Sequence, residues 1–241
     1  MTDRPPIPAR PALFLDFDGT LVGFAETPDA VDVPDNLQPL LDALSARCDG
    51  AVAFVTGRSI AGLDALLVGQ PPHAVGVHGA EWRLNGADVQ TIGGESFDDE
   101  RVKVRAFADA NPAIVMEEKS AGLTLHYRRQ PALEDDAVLA LKSAFAGRDD
   151  FESLSGHMLT EVRRKGVHKG AGIDRLMSLA PFEGRTPVFL GDDVTDEDGF
   201  GAVNARDGVS VRIGEGDTSA KYRLPDIASV YEYLEQMVAS S

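Results

Sequence analysis

Three short apolar runs recur along the chain, Ala12-Leu13-Phe14-Leu15, Ala51-Val52-Ala53-Phe54-Val55 and Pro187-Val188-Phe189-Leu190, and each halts on a polar cluster. An apolar run of this length without alternation suits a strand buried on both faces, as in a parallel sheet covered by helices. Helical spacing lies between the runs. Leu37, Leu40, Leu41 and Leu44 follow Pro34-Asp35, while Ile60, Leu63 and Leu67 follow a capping residue, Ser59. Ile227, Val230, Leu234 and Val238 make a final helix. Strands alternating with helices predict a Rossmann-like α/β core, in which ligands bind beyond the carboxyl ends of the strands. Asp16, Thr56-Gly57-Arg58 and Gly191-Asp192-Asp193 all stand at such ends.

The middle of the chain follows another rule. Thr124 and His126 alternate with Leu123, Leu125 and Tyr127, as in an antiparallel strand with one wet face. Stretches 114–116 and 158–162 read as its neighbours, and helical stretches near 100–110 and 134–146 as the cover of one face. The expectation is an α+β insert at 98–166 within a core made of 1–97 and 167–241.

Charge and composition narrow the function. With 39 acidic against 23 basic residues, the formal net charge is −16, which repels nucleic acid and anionic lipid. No run of about 18 apolar residues is present to span a bilayer, and the proline-rich start lacks the apolar stretch of a secretory signal, so a cytoplasmic protein is expected. Its single cysteine, Cys48, allows no intramolecular disulfide and no thiolate cluster. An anionic substrate would therefore be met by positive charge gathered locally, from a cation and a few Lys or Arg.

Asp16-Phe17-Asp18-Gly19-Thr20-Leu21 leaves the first strand directly. Asp-Gly is an ordinary turn dipeptide, yet a carboxylate here can also take a phosphoryl group while a second protonates the leaving oxygen. Thr56-Gly57-Arg58 offers a hydroxyl and backbone amides ahead of a helix, which suits either a helix cap or a phosphate. Lys169 precedes the helical pattern Ile173, Leu176, Met177, with Arg163, Arg164 and Lys165 as alternative cations nearby. The segment from Asp192 to Asp198 packs five carboxylates into seven residues after a buried strand. Such crowding is costly unless solvent or a cation relieves it, and magnesium is the hard ion that few carboxylates, water and substrate oxygens hold.

In this order the four segments resemble the four motifs of the haloacid dehalogenase-like superfamily. The resemblance implies that Asp16 is a nucleophile, Asp18 a general acid/base, Thr56 and Gly57 a phosphate hold, and Lys169 a counter-charge. It implies Mg2+ held by Asp16, the backbone carbonyl of Asp18 and Asp192, with Asp193 and Asp196 as outer or additional ligands. Within that superfamily, Gly191-Asp192-Asp193-Val194-Thr195-Asp196-Glu197-Asp198-Gly199-Phe200 is similar to the pattern of the trehalose-6-phosphate phosphatases. Further agreement comes from His78-Gly79-Ala80-Glu81, Glu117-Glu118-Lys119, Leu125-His126-Tyr127-Arg128, and Glu161-Val162-Arg163 leading to Lys169-Gly170. This implies a mobile cap of the C2 type, a sugar-phosphate substrate bound by Arg58, Glu117, Lys119, His126 and Glu161, and a functional link to a trehalose-6-phosphate synthase. Two positions depart from the pattern: Thr56 replaces a frequent Ser, and Arg164 a usual Pro. Sucrose-phosphate and mannosyl-3-phosphoglycerate phosphatases are rival readings, decided by cap residues. A sugar-phosphate-binding regulator would be marked by loss of Asp16, Asp18 or Asp192, and all three are present.

Overall fold

In the computed structural model, which describes residues 4–24, 30–92, 94–119, 121–156 and 158–240, the first apolar run forms β1 (Pro11–Leu15), buried at every position. The chain continues through α1 (Leu37–Arg47), β2 (Val52–Val55), α2 (Ile60–Asp64), β3 (Ala74–Gly76), β4 (Glu81–Arg83) and β5 (Gln90–Thr91). It then enters the middle region, α3 (Asp98–Ala110), β6 (Val115–Lys119), β7 (Gly122–His126), α4 (Glu134–Ala144), β8 (Phe151–Gly156) and β9 (Leu159–Arg164). Last come α5 (Lys169–Met177), β10 (Thr186–Gly191), α6 (Glu197–Asn204), β11 (Val209–Ile213), β12 (Tyr222–Leu224) and α7 (Ile227–Ala239).

The contacts divide the chain into two units, Met1–Thr91 with His168–Ser241, and Ile92–Val167. The insert thus begins ahead of residue 98, where sequence put it. Its core takes in Phe97, which meets the Phe151 ring at 5.5 Å, and Arg148 donates to the carbonyls of Ser96 (3.0 Å) and Glu95 (3.2 Å).

The first unit holds one sheet in the order β12-β11-β10-β1-β2-β3-β4-β5. From β12 to β3 all neighbours are parallel; β4 and β5 turn back antiparallel. Leu13, Phe14, Phe54, Phe189, Phe200 and Leu234 pack into its core, where each buried side chain of this size contributes about 1.5–3 kcal/mol. Ser59 caps α2 by accepting from Gly62 N, as its position before the apolar pattern suggested. The helix stops at Asp64, short of Leu67, because the amides of both Leu66 and Leu67 turn back to Leu63 O. Among the described residues no helix is long and apolar enough to cross a membrane.

The second unit is a four-stranded antiparallel sheet, β6-β7-β9-β8, with its own core. Leu123, Leu125 and Val162 point into that core with Val104, Ala108 and Leu141 from α3 and α4. Alternation along the strands therefore puts Glu117, Lys119, Thr124, His126 and Glu161 on the opposite face.

Candidate active site

β1 and β10 run in parallel and in register, so the residues that follow them leave the sheet side by side. Asp16, whose amide donates to Leu190 O at 3.0 Å, is anchored at this point. Asp192 comes from the other strand. Gly19 has φ +77°, and a Cβ on it would lie 2.1 Å from Asp192 Oδ2, so only glycine admits both the turn and the neighbouring carboxylate. Thr20 donates its hydroxyl to Asp192 Oδ1 at 3.4 Å.

Lys169 opens α5, whose cap His168 accepts from Ala171 N. Its ammonium lies 3.0 Å from Asp16 Oδ1 and 2.7 Å from Asp196 Oδ1, all three side chains being buried. Among the candidate cations it is Lys169 that reaches the acidic cluster. Arg163 and Arg164 lie on β9 of the other unit, facing Glu152 (2.9 Å) and Asp150 (2.5 Å). At position 164, read from the sequence as a departure from the family pattern, the backbone N–H donates to Ala121 O at 2.8 Å, a bond a proline could not make.

The segment after β10 is not a bare acidic loop. Asp193 accepts from Val194 N, Asp196 Oδ2 accepts from Asp193 N at 2.9 Å, and α6 begins at Glu197. Both oxygens of Asp196 are thus engaged, one by Lys169 and one by the turn. Asp18 stands apart from this cluster. Arg58 grips its carboxylate at both oxygens, each at 2.7 Å, and lies 5.6 Å over the Phe17 ring. Arg58 N donates to Thr56 Oγ1 at 3.2 Å. Asp16, Asp18, Thr56, Gly57, Lys169 and Asp192 all border one cavity of about 620 Å³.

The electrostatics are unbalanced in a way that points to a cation. Burial pushes the Asp16 carboxyl well above its usual range despite Lys169, with Asp196 adding to the rise. Asp192 is pushed up to about 6 by burial and by its neighbours Asp196 and Asp193. Burial opposes the charge on Lys169, but Asp16 and Asp196 outweigh it and hold the ammonium protonated. One buried positive charge therefore faces three carboxylates, Asp16, Asp192 and Asp196, whose oxygens approach within 4.8 Å of one another. An all-oxygen, anionic donor set of this kind fits a hard divalent metal ion.

On the open face of the second unit's sheet, Lys119 pairs with Glu161 at 3.2 Å and His126 with Glu117 at 3.0 Å. Glu118 points the other way, to Arg101 and Arg105 of α3. Thr124 lies in register between Glu117 and Glu161, fully buried, its hydroxyl without a hydrogen-bond partner. Sequence reading gave no role to Thr124, Thr20 or His78. Thr20 and His78 sat inside quoted motifs, whereas Thr124 carried the sole signal of a hydroxyl on the polar side of an alternating strand.

The family model for trehalose-phosphatase matches residues 14–228. The chain belongs to the trehalose-phosphatase family. It is 38% identical to the trehalose-6-phosphate phosphatase of Escherichia coli over 100% of this chain and 91% of that protein. A bifunctional trehalose-6-phosphate synthase/phosphatase of Thermoproteus tenax is 34% identical over 95% of this chain, which covers 32% of that longer protein. Among solved structures, the trehalose-6-phosphate phosphatase of Aspergillus fumigatus superposes with a TM-score of 0.77 at 28% identity, covering 97% of this chain and 94% of the other. The α/β core with its inserted α+β cap is accordingly the haloacid dehalogenase-like fold in its trehalose-phosphatase form.

Proposed function

We propose that the protein hydrolyses trehalose 6-phosphate to trehalose and inorganic phosphate, with Asp16 as the nucleophile. The chemistry rests on one observation, the buried Asp16 held 3.0 Å from Lys169 and bordering the cavity that Asp18, Thr56 and Asp192 also line. The substrate follows from the family and from the full-length similarity to the E. coli enzyme. In this reading the Thr56 hydroxyl, the Gly57 amide and Lys169 hold the phosphoryl group while Asp16 attacks phosphorus in line. The bond to the sugar oxygen breaks, and Asp18, oriented by Arg58, gives that oxygen its proton. Asp18 then accepts a proton from the water that opens the acyl phosphate, which frees inorganic phosphate and restores Asp16. Mg2+, held by Asp16, Asp192 and the Asp18 carbonyl with Asp193 in the outer shell, would neutralise and align the phosphoryl oxygens. Asp196 serves Lys169 and keeps it aimed at Asp16. Glu117, Lys119, His126 and Glu161 are the sugar-reading groups, since paired charges on a strand face match a ring of hydroxyls.

A source of trehalose 6-phosphate is required, and the T. tenax relative, which joins synthase and phosphatase in one chain, supports a functional link to such a synthase. A charged sugar phosphate does not cross lipid, so both activities belong in one compartment, which in this reading is the cytoplasm. The test is phosphate release across a panel of sugar phosphates, with and without chelator. Trehalose 6-phosphate should be turned over fastest and only when magnesium is supplied; faster turnover of sucrose phosphate would refute the substrate. Asp16→Asn should abolish release in a folded protein, and activity within about tenfold of the parent would refute the nucleophile.

A further inference from the structure

One hydroxyl in the second unit has no part in the mechanism above. Glu117 on β6 stands opposite Thr124 on β7, and Thr124 stands opposite Glu161 on β9, so the three form one row across the sheet. Thr124 occupies the middle of that row, since β7 is flanked by the other two strands. Cβ atoms directly opposite on an antiparallel pair lie about 4.5–5.5 Å apart, which makes both carboxylates close neighbours of the hydroxyl. Neither accepts from it. Glu161 faces Lys119 at 3.2 Å, and Glu117 faces His126 at 3.0 Å. Thr124 is 0% exposed, and among the described residues its Oγ1 has no hydrogen-bond partner.

A buried hydroxyl without a partner weakens a fold, because it gives up its hydrogen bonds to water and gains none in return. Valine has the same branched shape, suits a strand as well and carries no such cost. Packing therefore calls for the shape of threonine but not for its hydroxyl. The neighbouring residues of β7 fit this account: Leu123 and Leu125 turn to the core, while Thr124 faces the row of carboxylates. Those carboxylates are not locked in place. Lys119 and Glu161 keep 24% and 17% of their side chains exposed, and His126 and Glu117 keep 35% and 49%. Partly exposed pairs of this kind contribute little, so a polyhydroxyl ligand can draw one of the carboxylates from its present partner. A sugar hydroxyl is donor and acceptor at once. It can donate to the carboxylate while accepting from Thr124.

We infer that Thr124 is a further sugar-binding residue, its Oγ1–H donating to a sugar hydroxyl that itself donates to Glu117 or Glu161. The inference rests on the phosphatase reading above. Thr124→Val removes the hydroxyl and Thr124→Ser keeps it. With Mg2+ present, kcat/KM is measured for trehalose 6-phosphate and for 4-nitrophenyl phosphate, which has no sugar hydroxyl, and thermal unfolding is followed without ligand. Thr124→Val should lower the ratio of the two kcat/KM values about tenfold, the loss of one buried hydrogen bond to the sugar. Its unfolding midpoint should equal or exceed that of the parent, because the orphaned hydroxyl is gone. Thr124→Ser should hold the ratio within about threefold of the parent. The inference is overturned if Thr124→Val leaves the ratio within about twofold of the parent, as it would if water alone met the hydroxyl. It is equally overturned if serine loses as much as valine, or if the valine midpoint falls by more than about 4 °C, the mark of a bond made within the fold. Failure of the phosphatase reading looks different: the parent itself would release no phosphate from either substrate.

Discussion

Lys169→Met keeps the length of the side chain and removes its charge. In the parent the ammonium sits 3.0 Å from Asp16 and 2.7 Å from Asp196, with side-chain exposures of 3%, 6% and 0%. Without it, two carboxylates that burial already pushes upward lose their positive partner. Breaking a buried pair by removing one member costs about 3–5 kcal/mol, and each kcal/mol lowers Tm by about 2–4 °C in a chain of this size. The expected fall is therefore roughly 6–20 °C. Its pH dependence has a definite sign. Asp16 and Asp196 would have folded pKa values above the unfolded value of about 3.9, so the folded state takes up protons as pH falls and the penalty shrinks. Thermal scans in metal-free buffer should show a smaller loss at about pH 5 than at about pH 8, and a second change, Asp196→Asn, should recover part of it. A loss below about 1 kcal/mol at both pH values, or an equal loss at both, would refute the argument.

Other perturbations separate geometry from chemistry. Gly19→Ala forces a Cβ to within 2.1 Å of Asp192 at a φ of +77°, so activity should fall by at least about a hundredfold as the carboxylate is displaced, and magnesium titration should show weaker binding. Lys119→Ala should lower kcat/KM for trehalose 6-phosphate by roughly ten- to a hundredfold while barely changing an aryl phosphate; equal losses on both would move Lys119 from sugar recognition to support of the fold. Cys48 is fully buried and its thiol is pushed up to about 11 by burial. It should resist thiol reagents at neutral pH until the protein unfolds, and its contribution to stability should be lost as pH rises from about 9 towards that value, which alkaline thermal scans would detect.

The polar strand endings were legible because β1 and β2, and β10 from Pro187 onward, are buried and carry no polar residue until they stop. β3 and β4 are three residues each, too short for any period to register. β8 escaped for another reason. Its core-facing positions are Phe151, Ser153 and Ser155, so the alternation that reveals a half-buried strand is missing. In the site, residue types and order along the chain were readable, but pairings across the sheet were not. Arg58 reads as a sugar ligand in the motif and stands against Asp18 in the structure. Asp196 reads as an outer or additional metal ligand, and only the approach of α5 to the turn after β10 shows its bond to Lys169. Such contacts join residues far apart in the chain, and no local pattern encodes them.

The central place of β1 also governs how the protein can be made. One edge of β1 pairs with β2, which follows soon after, but the other pairs with β10, which is synthesised only after the whole second unit. The second unit closes its own sheet from neighbouring strands and can fold as it emerges. A nascent chain stalled before β10 would instead carry an apolar strand with an open edge, the kind of surface that recruits other chains. Truncations ending between β9 and β10 should therefore aggregate, and recovery of the protein from the ribosome should depend more on the translation of its last third than on that of its first.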